Sequence, residues 1–163
     1  MAPENATQTQ VTQTQVNVTS NNQSKAHVVV GVDGSESSKT ALRWAAKLAP
    51  ALDASIEAIT AWEYPMMLGW EGGIPDWWRP DEDSTKILQE TLDEVFGSAK
   101  PAGMIQGIRQ GHPTTVLLEA SKNASMLILG SRGHGGFVGL LLGSVSSTCA
   151  EHAKCPVLVV HGE

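Results

Sequence analysis

The segment 130–144 has the residue types and spacing of an anion-binding loop, since six of its fifteen residues are glycine. Because glycine adopts positive φ and lets a ligand approach the main chain closely, successive N–H groups can converge on one anion. Gly143 and Ser144 open a predicted helix, whose N-terminal donors and dipole favour phosphate. The pattern predicts a phosphate-binding loop made of backbone, with a merely flexible surface loop as the alternative.

Two familiar phosphate motifs and one hydrolase motif are absent from the chain. It contains no G-x-x-x-x-G-K-[ST] and no G-x-G-x-x-G after its first predicted strand. His134 and the two glycines after it are similar to an oxyanion loop of lipases, but there is no G-x-S-x-G elbow. The loop is therefore neither a P-loop nor a dinucleotide fingerprint, and a hydrolase is disfavoured.

Other residue types that could do chemistry have weaker patterns. The five histidines never fall at paired metal-ligand spacings, so no metal site made by the protein alone is predicted. His134 either touches a phosphate or points to water, and Arg132 either adds charge at the phosphates or is solvated. Cys149 and Cys155 form no CxxC motif and are expected to be idle thiols, with Cys149 in the core.

The elements that must position the loop are strands and helices in strict alternation. Short runs of β-branched and apolar residues predict strands at 28–32, 55–62, 105–110, 126–129 and 157–160. Helical spacing of apolar residues predicts helices that begin near Ser35, Ser84, Pro113 and Ser144. Strict alternation predicts one doubly wound parallel α/β sheet with helices on both faces. Ligands of such sheets bind beyond the C-terminal strand ends, here after strands one and four.

Composition is typical of a globular protein with one domain, expected over residues 25–163. The chain has 163 residues, 41% of them apolar, which suffices for a packed core. Residues 1–24, rich in Gln, Thr and Asn, are expected to form a disordered tail, with an edge strand or self-association segment as the alternative. The formal charge of −6, with no basic cluster, argues against nucleic acid and anionic membranes. Without a membrane span or signal pattern, the expected location is cytoplasmic.

The spacing Gly130-x2-Gly133-x9-Gly143-Ser144 resembles, without gaps, the G-x2-G-x9-G-[ST] signature of the ATP-binding branch of the universal stress protein family. The resemblance extends from His27 to Val160 and includes the Val-Gly-Val-Asp-Gly-Ser sequence of residues 30–35. It implies the strand order 3-2-1-4-5. It also implies a homodimer through the last strand, Val157–Val160, which would cover an exposed sheet edge.

The same resemblance implies an ATP site, with Mg²⁺ expected to accompany the phosphates. Asp33 would contact the ribose or a phosphate-bound Mg²⁺, although its position alone also suits a partner of the following helix N-terminus. Trp62 stands where the family has an apolar residue against adenine, and it either stacks on the base or fills the pocket. The other binding residues that the resemblance implies are Gly31, Leu129, Gly130, Gly133, Gly143, Ser144 and Val145. The predicted nucleotide-binding set is completed by Val32, Arg132, His134 and Ser146.

The segment 63–83 carries many large apolar residues for a loop, among them Trp70, Trp77 and Trp78. Such a composition favours a lid, a dimer contact or a surface that binds a protein partner. The alternative is that these side chains pack back over the chain's own helices.

The predicted function is that of an ATP-binding stress-response protein whose dimer or partner surface changes when nucleotide binds. No hydrolytic base or cation for the γ-phosphate is evident, so rapid turnover is not expected, while slow hydrolysis or autophosphorylation through Ser144 or Ser146 stays open. The alternative function is a nucleotide-free interaction module that recruits a protein through the Trp-bearing segment 63–83.

Overall fold

A five-stranded parallel sheet organises the residues that the computed structural model describes, which are 26–64, 77–134 and 142–162. The elements in chain order are β1 (His27–Gly31), α1 (Glu36–Leu48), β2 (Ser55–Trp62), α2 (Pro80–Phe96), β3 (Ile105–Gln110), α3 (Pro113–Ala120), β4 (Met126–Gly130), α4 (Ser144–His152) and β5 (Val157–Val160). Hydrogen-bonded strands follow the order β3-β2-β1-β4-β5, and every pair is parallel. The predicted doubly wound sheet and its strand order are confirmed.

The two central strands, β1 and β4, are apolar because both of their faces are covered. Val28, Val29 and Val30 are fully buried, and so are Leu127 and Ile128. A strand with one exposed face would instead alternate apolar and polar residues. The continuous apolar runs in the sequence therefore predict that both faces of these strands are buried, as well as that the strands form.

Side chains alternate between the two faces of the sheet, and each face has its own core cluster. Val28, Val30 and Ile128 pack with Leu42 of α1 and Leu92 of α2 on the face called here the α1/α2 face. On the opposite face, the α3/α4 face, Val29 and Leu127 pack with helix residues Leu117 of α3 and Cys149 of α4. Helices cover both faces, as predicted.

Local residue chemistry explains where the helices begin. Ser35 caps α1, and its Oγ accepts a hydrogen bond from the Ser38 amide at 3.2 Å. Helix α2 begins at Pro80, four residues before the predicted start at Ser84. Proline is tolerated in a first helical turn, and the acidic residues 81–83 are favoured there by the helix dipole.

Several predictions fall outside the described residues and stay predictions. They concern the tail 1–24, Trp70 and the glycine-rich loop residues 135–141. None of the described helices has both the length and the apolar composition that a membrane span requires.

Candidate functional site

A cavity of about 520 Å³ lies at the C-terminal edge of the sheet, over the ends of β1, β2 and β4. Its lining also includes the first residues of α3 and α4. This is where the strand order reverses, since β1 connects outward to β2 on one side while β4 lies on its other side. Open α/β sheets bind ligands at such a switch point, and cavities of this size hold small molecules.

One part of the cavity wall is apolar and is built from the α3/α4 face. Ile59 and Ala61 of β2 contribute to it, as does Leu129 of β4. The first two turns of α3 and the start of α4 complete this wall with Pro113, Leu117 and Val145. Such a wall suits a flat apolar group such as a nucleobase.

The other part of the lining is polar and lies where β4 leads toward α4. It contains Arg132, Gly133 and His134, all exposed, together with Gly143 and Ser144. Gly143 is the N-cap residue of α4 and has no side chain to cap this helix end. Among the described residues no side chain accepts from the first-turn N–H groups of α4, and such groups bind anions.

Close approach explains two of the glycines at this edge. A Cβ on Gly130 would lie 2.8 Å from both the Cβ and the carbonyl carbon of Ser37, so α1 could not approach β4 as it does. A Cβ on Gly31 would lie 2.8 Å from a methyl group of Leu129, inside the cavity wall. Only glycine fits at Gly130 without moving backbone, because the obstructing atoms include main chain.

Asp33 joins the two loops that meet at the cavity. Its Oδ1 accepts hydrogen bonds from the Ser35 amide at 3.0 Å and the Ser35 hydroxyl at 2.6 Å. Its Oδ2 accepts from the His134 amide at 3.1 Å. Asp33 is thus not the cap of α1, which is Ser35, and it bonds the glycine-rich loop as well as its own turn.

Ser146 is buried and its hydroxyl is used within the protein. Its Oγ donates to the carbonyl oxygen of Gly130 at 2.5 Å, which ties α4 to the end of β4. Ser144, in contrast, is exposed at the polar end of the cavity. Both serines line the cavity, but of the two hydroxyls proposed from the sequence only that of Ser146 is already committed to a hydrogen bond to Gly130.

The structure corrects the expected placement of Trp62, which does not line the cavity. Successive residues of a strand point to opposite faces, and Ala61 faces the cavity. Trp62 consequently lies toward the α1/α2 face, where its ring meets Tyr64 edge-on with centroids 5.2 Å apart. Tyr64 in turn packs edge-on against Trp78 at 6.0 Å.

The other residues that the sequence placed at this site are brought together around the cavity. They are Gly31, Val32, Asp33, Leu129, Gly130, Arg132, Gly133, His134, Gly143, Ser144, Val145 and Ser146. Val32 borders the cavity although it belongs to the core cluster of the α1/α2 face. Sequence reasoning missed Ser35, Ser38, Ile59, Ala61, Pro113, Leu117 and Leu142. Pro113 could have been found, because it follows the C-terminal end of β3.

The cysteines take no part in this chemistry. Burial raises the pKa of the Cys149 thiol to about 11 and also raises the pKa of Cys155. A thiol with a raised pKa is a poor nucleophile near neutral pH. Within the described ranges, no three His, Cys, Asp or Glu side chains are grouped as metal ligands.

Comparison with known proteins agrees with this architecture. The model of the universal stress protein family matches residues 26–161. A universal stress protein of Mycobacterium tuberculosis strain H37Rv is 32% identical over 135 residues, which cover 83% of this chain and 45% of that protein. The chain thus spans less than half the length of that relative.

Solved structures show the same fold. A universal stress protein in complex with cAMP is 30% identical, has a TM-score of 0.61 and matches 85% of this chain and 98% of its own. A universal stress protein family member from Arabidopsis thaliana with AMP bound is 21% identical, with a TM-score of 0.56 and coverage of 85% and 92%. With the family model matching most of its length, this chain belongs to the universal stress protein family.

Proposed function

We propose that this chain binds an adenine nucleotide in the cavity, with ATP and Mg²⁺ as the physiological ligand, and that occupancy changes its dimer or partner surface. The observation that carries the proposal is the division of one cavity into an apolar wall and a polar end. The apolar wall at Ile59, Ala61 and Leu117 suits adenine. The polar end, at the uncapped N-terminus of α4, suits phosphates.

The family comparison supports an adenine nucleotide over other anions. The relative solved with cAMP is 30% identical and aligns with nearly its whole chain. A purine base and a phosphate are common to cAMP, AMP and ATP, so this support extends to the class. ATP is preferred within it because the glycine spacing resembles that of the ATP-binding branch.

The described residues fit Mg²⁺ only as a companion of the phosphates. Both carboxylate oxygens of Asp33 already accept hydrogen bonds from Ser35 and His134. Mg²⁺ usually binds through one or two carboxylates together with phosphate oxygens and water. When bound with ATP, the ion would neutralise phosphate charge, and the loop N–H groups would orient the phosphates.

Fast hydrolysis is not part of the proposal. The titratable side chains that line the cavity are Asp33, Arg132 and His134. Asp33 is occupied by hydrogen bonds, and the other two are exposed. None of these three side chains is therefore held in place as a base against an attacking water, as rapid phosphoryl transfer requires.

Dimerisation through β5 is proposed together with nucleotide binding. β5 is the last strand on its side of the sheet, and Val157, Leu158 and Val159 are only partly buried. An apolar edge strand pairs readily with another strand. Sedimentation of the full chain with and without ATP tests both the dimer and its response to nucleotide. The cytoplasmic location expected from the sequence stays a prediction.

A second candidate function is recruitment of a protein partner without nucleotide. It is favoured by Trp77, whose side chain is 81% exposed, beside the edge-on pair of Tyr64 and Trp78. Exposed aromatic residues are enriched in protein interfaces. This second function requires that the cavity bind no nucleotide. A test of nucleotide binding therefore distinguishes the two candidate functions.

The decisive experiment has two parts. The purified full chain is denatured, and any released small molecule is identified by chromatography and mass spectrometry. ATP, AMP and cAMP are then titrated calorimetrically, each with Mg²⁺ and with EDTA. Saturable binding of ATP that is tightest with Mg²⁺ supports the proposal. Absence of released nucleotide together with no heat for any of the three would overturn it.

A pair of valine variants tests where the phosphates bind. In Gly143→Val the added Cβ lies 3.5 Å from its nearest atom among the described residues, so a side chain is placed beside the phosphates without a close contact at Cβ. Ser147→Val is the control, because it adds the same branched side chain to α4 at an exposed position that does not line the cavity. Binding should be lost in the first variant and kept in the second. Normal binding by Gly143→Val would place the phosphates elsewhere.

A further inference from the structure

The two loops at the cavity are joined by a set of hydrogen bonds that use side chains from only one of them. Besides the bonds of Asp33, the hydroxyl of Ser37 donates to the carbonyl oxygen of Arg132. The Ser35 hydroxyl also approaches that oxygen, at 3.3 Å. All of these partners lie in 33–37 on one side and 132–134 on the other. Side chains after β1 thus hold the backbone of the turn after β4.

Within this set of hydrogen bonds, Asp33 supplies the only charged acceptor. It is also the only residue of the set that accepts from an N–H group of the 132–134 turn. Its Oδ2 accepts from the His134 amide, and its Oδ1 is anchored by Ser35. A carboxylate that accepts at both oxygens makes stronger hydrogen bonds than a neutral group would. The anchored carboxylate therefore fixes where the 132–134 turn lies.

Gly133 shows how closely the turn is held. A Cβ on this residue would lie 2.5 Å from the Asp33 Oδ2, a distance that real Cβ atoms do not show. Gly34, in the loop after β1, lies beside the ring of His134. It has φ +83°, and a Cβ there would be 3.6 Å from the His134 ring. The 132–134 turn is thus hydrogen-bonded through the amide of His134, and Gly34 lies beside the ring of the same residue.

From this geometry we infer that Asp33 is a positioning residue, a clamp that holds the 132–134 turn in its phosphate-binding form before nucleotide arrives. Its effect on nucleotide affinity, which rests on the proposed function, is then indirect. Asp33 positions the backbone N–H donors of the turn and need not touch ribose or metal. Preparing a loop in advance strengthens binding because its ordering is not left to the ligand.

The clamp needs a carboxylate. In Asp33→Asn only one side-chain oxygen is left to accept, so either the His134 amide loses its acceptor or the bond from the Ser35 amide is lost. Either way the hydrogen bond to the His134 amide is lost or becomes a weaker bond between neutral groups that is no longer anchored at Ser35. Asp93→Asn is the matched control, since Asp93 is an exposed residue of α2 paired with Lys100 at 2.7 Å, and it does not line the cavity.

The first test is amide hydrogen exchange by NMR on the full chain without nucleotide. In Asp33→Asn the His134 amide should exchange about tenfold faster, because a hydrogen bond to a charged group is lost. Amides in the centre of β1, such as Val30, should keep their rate, which separates a local clamp from general destabilisation. An unchanged His134 rate, or faster exchange throughout the sheet, would refute the clamp.

The second test asks what Asp33 contributes to affinity. We expect Asp33→Asn to weaken ATP binding about tenfold, whether Mg²⁺ or EDTA is present. The same loss is expected for the 2′-deoxy and 3′-deoxy analogues of ATP. The affinity for adenosine, which has no phosphate, should fall less than about twofold in the same variant. A loss that disappears with EDTA identifies a metal contact, and one that disappears with a deoxy analogue identifies a ribose contact. Either result overturns the indirect role.

The two tests separate the clamp from the proposed function. Exchange is measured without nucleotide, so its outcome stands even if no nucleotide binds. If wild-type protein binds none of the ligands but the His134 amide responds to Asp33→Asn, the proposed function fails and the clamp remains. If nucleotide binds and the amide does not respond, the clamp fails and the function remains.

Discussion

The two faces of the sheet share the same strands but are filled differently. On the α1/α2 face, helices of 13 and 17 residues cover a cluster that includes Leu42 and Leu92, both fully buried. On the α3/α4 face, the helices have 8 and 9 residues, and the strand ends carry Gly31 and Ala61. Small residues and short helices leave the cavity on that face. The cavity is thus a region of the core that is left unfilled.

The largest expected difference between the faces is in stability. Leu92→Ala should lower the free energy of unfolding by about 2–5 kcal/mol, since it leaves a void in a closed core. Leu117→Ala should cost less, because part of the Leu117 side chain already faces the cavity. Denaturant unfolding of both variants measures this. Equal losses would mean that the α3/α4 face is as tightly filled as the other.

Neighbouring residues of β2 test the faces through binding. Ala61→Trp should fill the cavity and weaken nucleotide binding about 100-fold, a cost of ~3 kcal/mol at the upper end for overpacking. Trp62→Ala, one residue later but on the opposite face, should change affinity less than about twofold. Calorimetric titration compares them. A large loss for Trp62→Ala would restore the adenine contact expected from the sequence.

Two loop glycines should separate stability from binding. Gly130→Ala forces a Cβ against the backbone of Ser37 and should destabilise the fold by about 1–3 kcal/mol. The Cβ of Gly143→Ala meets atoms of the described residues only at 3.5 Å or more, so this variant should leave the unfolding midpoint unchanged. Thermal unfolding without ligand distinguishes them. A destabilised Gly143→Ala would show that its glycine serves the fold and not the ligand.

The smallest expected effect distinguishes two serines on α4. Ser144 lines the cavity, whereas Ser147, also exposed, does not. Removing one hydrogen bond costs about 1 kcal/mol, so Ser144→Ala should weaken ATP about fivefold. Ser147→Ala should bind as the unmodified chain does. Equal affinities in competition titration would exclude a hydroxyl contact at Ser144.

Much of the fold follows from local sequence patterns. β-branched runs such as 28–30 predict strands wherever both faces become buried, and the cap at Ser35 predicts the start of α1. Apolar periodicity alone predicts the start of α2 too late, since Pro80 and the acidic residues after it begin the helix through backbone and dipole effects. The strand order came from family resemblance, not from any single pattern.

The candidate site could be predicted where it depends on the backbone. Glycines beside a helix N-terminus predict anion binding whatever surrounds them, and Gly133 and Gly143 both line the cavity. The apolar wall could not be assigned in this way. Ala61 and Trp62 are both apolar, and only the packing of the helices decides which of them faces the cavity.

The sequence by itself determined the alternation of strands and helices, the sheet edge at which the cavity lies and the glycine loop, because these depend on local periodicity and backbone freedom. Only the tertiary structure decided that Trp62 lies away from the cavity and that Asp33 bonds the amide of His134. Those two residues are 101 positions apart. Contacts at such separation depend on which strands become neighbours, and no local pattern records that.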